Sequence, residues 1–173
     1  MTTATRRSRT STPSRGKARR TVAVLGAVSF GLVALAACDK PTPLTTVTVG
    51  SDTITTGAAC YNDGKPLSTK ILQSCLGAKP DKKISVGPGG KVRIGVEPEV
   101  ADNGWALVVN GQGLMNEASH DTYRSFSHDE LFPVQQSQQG AAPPAKTAQV
   151  ALIEVGKSNK PKGAWQFVVD RKS

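Results

Sequence analysis

Hydrophobic and polar residues alternate along much of the chain after residue 45, which is the pattern of β-strands with one buried face. In residues 91–96, Val92, Ile94 and Val96 share one face while Lys91 and Arg93 point the other way. Segments with the same spacing recur and are separated by turn-forming residues. The predicted strands are residues 46–50, 53–56, 91–96, 105–109, 112–115, 122–126, 149–155 and 164–170.

Turn signals join these strands. Glycine and proline at 87–90 precede one strand, and Asn110-Gly111 is a strong two-residue hairpin signal. Seven or eight short strands joined in this way favour an all-β fold. We predict an immunoglobulin-like β-sandwich over residues 45–173, a length at which one hydrophobic core is adequate.

Helix signals are sparse, and one or two short helices are expected. Ser68 can begin a helix that runs to Leu76 and ends at Gly77. Residues 127–130, Ser-His-Asp-Glu, match a capping box before Leu131.

Two segments have the composition of loops. Residues 135–146 are rich in Gln and Pro, which predicts a mobile loop. Residues 156–163 carry three lysines and predict a hairpin tip, which is either a solvated turn or a contact with anionic lipid headgroups.

The N-terminus has the layout of a secretory signal: a basic region to Arg20, an apolar run over residues 21–37 and small residues at its end. The alternative is a transmembrane helix. Seventeen residues lie at the lower limit of about 17 to 25 for a span, and only Lys40 could mark an interface at the far end. We therefore predict that residues 1–37 are a signal peptide helix that is removed.

The end of the apolar run, Leu35-Ala36-Ala37-Cys38, resembles a bacterial lipobox. That resemblance implies cleavage between Ala37 and Cys38 and a diacylglyceryl group on the Cys38 thiol. Two acyl chains would anchor the protein stably to a membrane. Residues 38–44 would then be the lipid anchor and a proline-containing tether, reaching roughly 20 Å when extended.

The export route has two alternatives. Arg19 and Arg20 resemble a twin-arginine signal, but Val22-Ala23 stand where that signal usually has Phe-Leu. The same arginines also fit the ordinary positive charge of a general secretory (Sec) signal. Either route places the domain on the extracytoplasmic face of the cell membrane.

Taken together, the basic leader, the lipobox, CDKPTPL at 38–44, CYNDGKPL at 60–67 and the β-rich body resemble small actinobacterial lipoproteins of a domain-of-unknown-function family. This resemblance covers most of the chain. It implies a membrane-anchored envelope protein and assigns no activity.

The net charge of +9 suggests nucleic-acid binding only until it is divided along the chain. Residues 1–37 hold seven of the 22 basic residues and none of the 13 acidic ones, which leaves +2 for the remainder. A phosphate-binding surface needs clustered Lys and Arg on the folded part. We therefore expect no nucleic-acid partner.

With Cys38 assigned to lipid, Cys60 and Cys75 remain. In an oxidising exterior an even pair predicts a disulfide. A redox pair or a metal site would need CxxC spacing or a nearby histidine. Both cysteines precede Trp105, unlike the Cys-Trp-Cys order of antibody domains, so "immunoglobulin-like" describes architecture alone.

Candidate chemistry is weak. His120 and His128 are each followed by an acid, but no G-x-S-x-G nucleophile motif is present, and turn and helix-start roles fit both better. Glu97, Glu99, Asp102 and Asn103 gather in a segment predicted as a loop, which is a weak calcium candidate without the D-x-D-x-D-G spacing. We expect that the protein is not an enzyme and that it binds no cofactor.

Three functions remain open. The first is a binding module of the cell envelope that meets an envelope protein, and an exposed apolar patch around Leu114 and Met115 would favour it. The second is an envelope hydrolase, which a cleft joining His120 or His128 to Glu97 or Glu99 would favour. The third is a structural envelope lipoprotein, which a featureless surface would leave.

Overall fold

The computed structural model describes residues 41–137, 140–156 and 158–173. The predicted signal segment, Ala37 and Cys38 lie outside the described residues. From Pro41 to Ser173 the chain forms one compact unit. In chain order its elements are β1 (Thr45–Val49), β2 (Asp52–Thr56), β3 (Ala58–Tyr61), α1 (Thr69–Leu76), β4 (Lys83–Val86), β5 (Lys91–Val96), α2 (Pro98–Asn103), β6 (Trp105–Val109), β7 (Gln112–Gly113), β8 (Tyr123–Ser127), α3 (His128–Leu131), β9 (Gln135–Ser137), β10 (Gly140–Ala142), β11 (Thr147–Glu154) and β12 (Gly163–Arg171).

Two main sheets form an all-β sandwich, as predicted. The four-stranded sheet has the order β2-β1-β5-β8 and is antiparallel throughout. The six-stranded sheet has the order β3-β12-β11-β6-β7, with β4 pairing in parallel with the second half of β12. The strands β9 and β10 form a separate hairpin.

The core lies between the two sheets and comes from the alternation read in the sequence. Val92, Ile94 and Val96 of β5 are buried on one face. The opposite sheet contributes further buried side chains at every second position of β6 and β12. They are Trp105, Leu107, Val109, Trp165, Phe167 and Val169. The hydrophobic period therefore predicts the faces of the central strands correctly.

The prediction was wrong about the number of strands and about two segments that it gave as loops. The described part has twelve strands rather than seven or eight, because the short strands β3, β4, β9 and β10 lack a readable alternation. The first two are held by pairing with β12. The predicted loop over residues 135–146 contains the hairpin β9–β10. Residues 98–103, also predicted as a loop, form helix α2, which begins at Pro98 because proline suits a first helical turn.

The edge at β3 is covered by helix α1 and a disulfide between Cys60 and Cys75, as predicted. Ser68 caps α1 by accepting a hydrogen bond from Ile71 N at 3.3 Å, and Gly77 ends it. The helix buries none of its own residues. The disulfide and a 2.6 Å bond from Gln166 Nε2 to Cys75 O therefore join it to the sheet. We call β3, α1 and this disulfide the stapled edge.

The chain enters the domain at Pro43 and Leu44. Trp165 Nε1 donates to Pro43 O at 2.8 Å, and Leu44 N donates to Glu97 Oε1 at 2.9 Å. Pro43 and Thr45 are buried. The last two residues of the predicted tether 38–44 are therefore bound to the domain, which shortens the free part of the tether.

Candidate functional site: a groove between two sheet edges

On the side away from β3, the last strands of the two sheets leave a groove between them. We call it the edge groove, and it has two adjoining compartments that share Leu114 and Glu130 as wall residues. The apolar compartment is lined chiefly by Leu114, Leu131, Phe132, Pro133, Pro143 and Pro144. The polar compartment is lined chiefly by Glu117, His120, Asp121, Arg124, Phe126 and Glu130.

The apolar compartment has a volume of about 310 Å³ and is shaped by the hairpin between β6 and β7. Asn110 and Gly111 have φ values of 50° and 82°, the positive values that a two-residue hairpin of this kind needs. Asn110 Oδ1 accepts from Gln149 N at 2.9 Å, which fixes the turn against β11. The hairpin predicted from Asn110-Gly111 is thus confirmed, and it presents Leu114 to the groove.

The polar compartment has a volume of about 600 Å³ and is rich in carboxylates. Glu117, Asp121 and Glu130 line it against a single arginine, Arg124. The Arg124 guanidinium carbon lies 6.0 Å from the ring centre of Phe126, so the cation sits over an aromatic face. The formal charge of these lining side chains is therefore negative.

Glu130 is fixed in the groove wall by the capping box at the start of α3. Ser127 N donates to Glu130 Oε2 at 2.6 Å, and Ser127 Oγ donates to the same oxygen at 2.7 Å. Ser127 Oγ in turn accepts from Glu130 N at 3.3 Å. The hydroxyl of Ser127, and after it the backbone N–H, lowers the pKa of Glu130 below its ordinary value. Glu130 is therefore a persistent negative charge beside the groove.

Strand β8 forms one wall of the groove and is the last strand of its sheet. Thr122 O accepts from Val96 N at 2.9 Å, and His128 N donates to Gly90 O at 3.0 Å. In an antiparallel pair such bonds fall on alternate residues. The residues between them, Tyr123 and Ser125, therefore turn their backbone N–H and C=O groups away from β5.

His120 lines the groove, but its contacts do not make a catalytic pair with its neighbours. His120 Nδ1 lies 3.0 Å from Ala101 O. Ser119 Oγ donates to Asp121 Oδ2 at 3.1 Å, so the serine hydroxyl is bonded to the acid and not to the imidazole. A histidine base activates a serine nucleophile only when the hydroxyl is hydrogen-bonded to the imidazole.

His128 is placed differently. It begins α3, as predicted, but it is buried, with its ring 5.3 Å from that of Phe132 and Nδ1 2.7 Å from Asp129 Oδ1. Neither compartment of the groove is lined by His128, Glu97 or Glu99. The structure does not bring the two histidines and the two acids together in this groove.

The calcium candidate residues are also divided among separate contacts. Glu97 accepts from Leu44 N, and Asn103 Nδ2 donates to Glu154 Oε1 at 2.6 Å. Glu99 is hydrogen-bonded to the Tyr61 side chain. Within residues 41–173, so far as the structure describes them, no group of three or more His, Cys, Asp or Glu is placed to hold a metal ion.

Sequence reasoning missed a buried acid, Glu154 at the end of β11. It has no solvent exposure, and Asn103, which binds it, accepts a 2.9 Å bond from Lys162 Nζ. Burial is the main cause that raises the pKa of Glu154, with Glu99 adding to it, while Asn103 and Lys162 oppose it. Its position gave a signal, because Glu154 has the same parity as the buried Val150 and Leu152.

Tyr61 joins this acid cluster to the stapled edge. Burial, followed by the charges of Glu99, Glu154 and Asp63, raises the pKa of Tyr61 to about 12. Its ring lies 6.2 Å from that of Trp165. These contacts fix the end of β3 against α2 and β12.

Comparison with known proteins supplies no name for this arrangement. No protein-family model matches the chain, and no curated protein matches it. None of the helices in the described ranges is long and apolar enough to cross a membrane.

Proposed function

We propose that this protein is an extracytoplasmic lipoprotein, anchored through diacylglyceryl on Cys38, whose β-sandwich is a binding module for another protein of the cell envelope. The observation that carries the binding role is the edge groove, with an apolar and a charged compartment side by side. Binding sites commonly combine an apolar lining with a few polar groups that set orientation. The lipid anchor is supported by the lipobox Leu35–Cys38.

The groove contains the features that favour a binding module over a hydrolase. Leu114 and Met115 line the groove, but they are partly buried against the core and do not form the exposed apolar patch expected from the sequence. The histidine that lines it, His120, faces a backbone carbonyl, and Ser119 is bonded to Asp121. A pair of side chains arranged as nucleophile and base is the feature on which a hydrolase proposal would depend.

The sequence offers a position-specific test, because its only methionines are Met1 and Met115. If the signal peptide is removed, photo-methionine incorporated into the purified lipoprotein lies at Met115 alone, in the groove wall. We expect ultraviolet light to link the labelled protein to one envelope protein when it is added to cell envelopes. Mass spectrometry of the crosslinked product identifies both partners.

The matched control moves the probe to the other side of the sandwich. In the double variant Met115→Leu, Thr55→Met the probe lies on the exposed outer edge of β2. We expect this variant to lose the product. If both positions give the same products, the groove is not the binding site, and if neither gives one, the proposed envelope partner is wrong.

The anchor has its own test, which does not depend on the groove. Mass spectrometry of the N-terminal peptide of the membrane-extracted protein should show Cys38 as the first residue with a diacylglyceryl mass. An unmodified cysteine, or a chain that begins elsewhere, would contradict the lipobox assignment.

A further inference from the structure

We propose that the edge groove takes an extended, positively charged peptide segment of another protein, which pairs with β8 as an added strand. This inference rests on the proposed binding function and names the chemistry of the partner. Addition of a peptide strand to a free sheet edge is a recurring mode of recognition, in which backbone bonds give affinity and side-chain pockets give specificity.

The backbone of β8 has free hydrogen-bonding groups with which an added strand could pair. Tyr123 and Ser125 direct their N–H and C=O groups away from β5, as the alternate bonds of Val96–Thr122 and Gly90–His128 require. Arg124 and Phe126, which alternate with these residues along β8, line the polar compartment of about 600 Å³. A strand laid beside β8 would therefore have both backbone partners and space for side chains.

The other sheet edges are less suited to the same task. Strand β3 carries α1 and the disulfide, β4 is four residues long, and β7 is two residues long. Strand β2 is the remaining edge of five residues. The backbone N–H and C=O groups of Thr53 and Thr55 point outward there, because the hydrogen-bonded pair next to the hairpin turn is Val49 and Asp52. The residues of β2 include one carboxylate, Asp52, against three in the lining of the edge groove, and β2 serves as the matched control.

The charge of the groove lining favours a basic peptide. Glu117, Asp121 and Glu130 outnumber Arg124 in the lining, and Glu130 is held by Ser127 in its charged form. Opposite charge across an interface speeds encounter and rejects partners of like charge. A segment with basic residues at alternate positions would place them toward these carboxylates while its remaining side chains face outward or reach the apolar compartment.

A rival explanation accounts for the same geometry of β8 without a ligand. An inward-pointing charge on an edge strand is one way in which proteins prevent strand addition, and Arg124 could serve as such a guard. The two explanations differ in whether a peptide of opposite charge binds. The deciding measurement is therefore peptide binding at the edge of β8.

The probes are three fluorescent peptides of about nine residues, in which valine alternates with lysine, glutamate or serine. The protein is the segment 41–173, which contains both sheets, the core and the disulfide as one compact unit. By fluorescence anisotropy at low salt we expect the lysine peptide to bind at least about tenfold more tightly than the glutamate peptide. Equal affinities, or no binding by any peptide, would overturn the proposal.

Proline variants test whether pairing occurs on β8. Proline is tolerated on an edge strand where the N–H points outward, and it removes that donor. We expect Ser125→Pro to abolish binding of the lysine peptide and Thr55→Pro, on the outer edge of β2, to leave it unchanged. Unchanged binding in folded Ser125→Pro would overturn strand addition at this edge.

The unaltered protein gives a second readout that does not depend on a variant folding. Hydrogen exchange of the Tyr123 and Ser125 amides should slow when the lysine peptide is added, while the outward amide of Thr55 should keep its rate. Slowing on β2 instead, or on neither edge, would contradict the proposal. So would a dimer by sedimentation that Ser125→Pro abolishes, because the occupant would then be a second copy of this chain.

The two proposals can fail separately. If photo-methionine at Met115 captures an envelope protein while no peptide pairs with β8, the binding module stands and the strand-addition mode is wrong. If the peptide pairs with β8 but no envelope protein is captured, the edge is competent for strand addition and the proposed cellular role is wrong.

Discussion

The two sides of this sandwich treat their sheet edges in opposite ways. At the stapled edge, β3 is covered by a helix that buries none of its own residues and is joined to the sheet by Cys60–Cys75 and Gln166. At the edge groove, β8 leaves Tyr123 and Ser125 open beside an acidic cleft. A free edge is a risk of aggregation, which proteins usually remove. The disulfide and α1 cover β3, whereas β8 has no such cover among the described residues, which is the arrangement that the proposed strand addition requires.

Among the changes that test this difference between the two edges, removing the disulfide should lower the free energy of unfolding most. Its cysteines are 15 residues apart, which corresponds to about 3 kcal/mol of stability in the chain-entropy model. We expect Cys60→Ala, Cys75→Ala to lower the free energy of unfolding by about that amount in urea titrations. The α1 amides should also exchange faster, because the helix buries no side chain.

The control for this variant is Ser74→Ala, an exposed residue next to Cys75 in the same helix. It should change the free energy of unfolding by less than about 0.5 kcal/mol. A double cysteine variant as stable as the Ser74→Ala protein would show that the disulfide does not secure the edge.

The two tryptophans allow the two sides of the sandwich to be tested separately, because each indole N–H donates one hydrogen bond to a backbone carbonyl on a different side. Trp165 Nε1 bonds Pro43 O where the chain enters, and Trp105 Nε1 bonds Asp121 O beside the groove, each at 2.8 Å. A buried carbonyl left unpaired costs about 1 to 3 kcal/mol. We expect Trp165→Phe to lower the free energy of unfolding by about 2 kcal/mol and Trp105→Phe by about 1 kcal/mol, because the second site is less buried.

Urea titration measures both tryptophan variants, and binding of the lysine peptide separates them. Trp105→Phe loosens the segment that carries Asp121 and should weaken binding, whereas Trp165→Phe should not. The reverse order in either measurement would contradict the assignment of the two bonds to the two sides.

Glu154, which adjoins the stapled edge through Tyr61, should make stability fall as pH rises. Burial raises its pKa, so the folded protein holds a proton that the unfolded chain releases near pH 4.3, the approximate ordinary value for glutamate. The stabilisation is therefore complete below that pH and is lost as pH rises through the folded pKa. We expect Glu154→Gln to lack this fall when the free energy of unfolding is measured across that range.

The control is Glu117→Gln, an exposed acid of the groove. It should keep the fall seen in the wild-type protein. Parallel pH profiles for the wild-type protein and Glu154→Gln would show that Glu154 does not titrate with folding.

The sequence predicts the strongly alternating strands, because burial of one face imposes a period of two on the chain. Both helix caps at Ser68 and Ser127 and the Asn110-Gly111 turn were also readable, since each depends on local bonds. Strands β3 and β4 were not, because they are held by β12, which is distant in sequence. The groove was missed for the same reason: it joins residues 114–121, β8 and residues 143–145.

Ser127→Ala should have an effect about as small as that of Trp105→Phe, with the opposite pH dependence from Glu154. Loss of a serine cap costs about 1 kcal/mol. The Ser127 hydroxyl also lowers the pKa of Glu130, so its stabilisation is present above the ordinary glutamate pKa and disappears as pH falls through the lowered one. We expect the stability difference between wild type and Ser127→Ala to be largest near neutral pH and to shrink in acid. Ser125→Ala, two residues earlier on the exposed edge, should differ from wild type by less than about 0.5 kcal/mol at every pH. A difference for Ser127→Ala that grows in acid would place the titrating group elsewhere, and Glu130 would lose its role as the fixed charge of the groove.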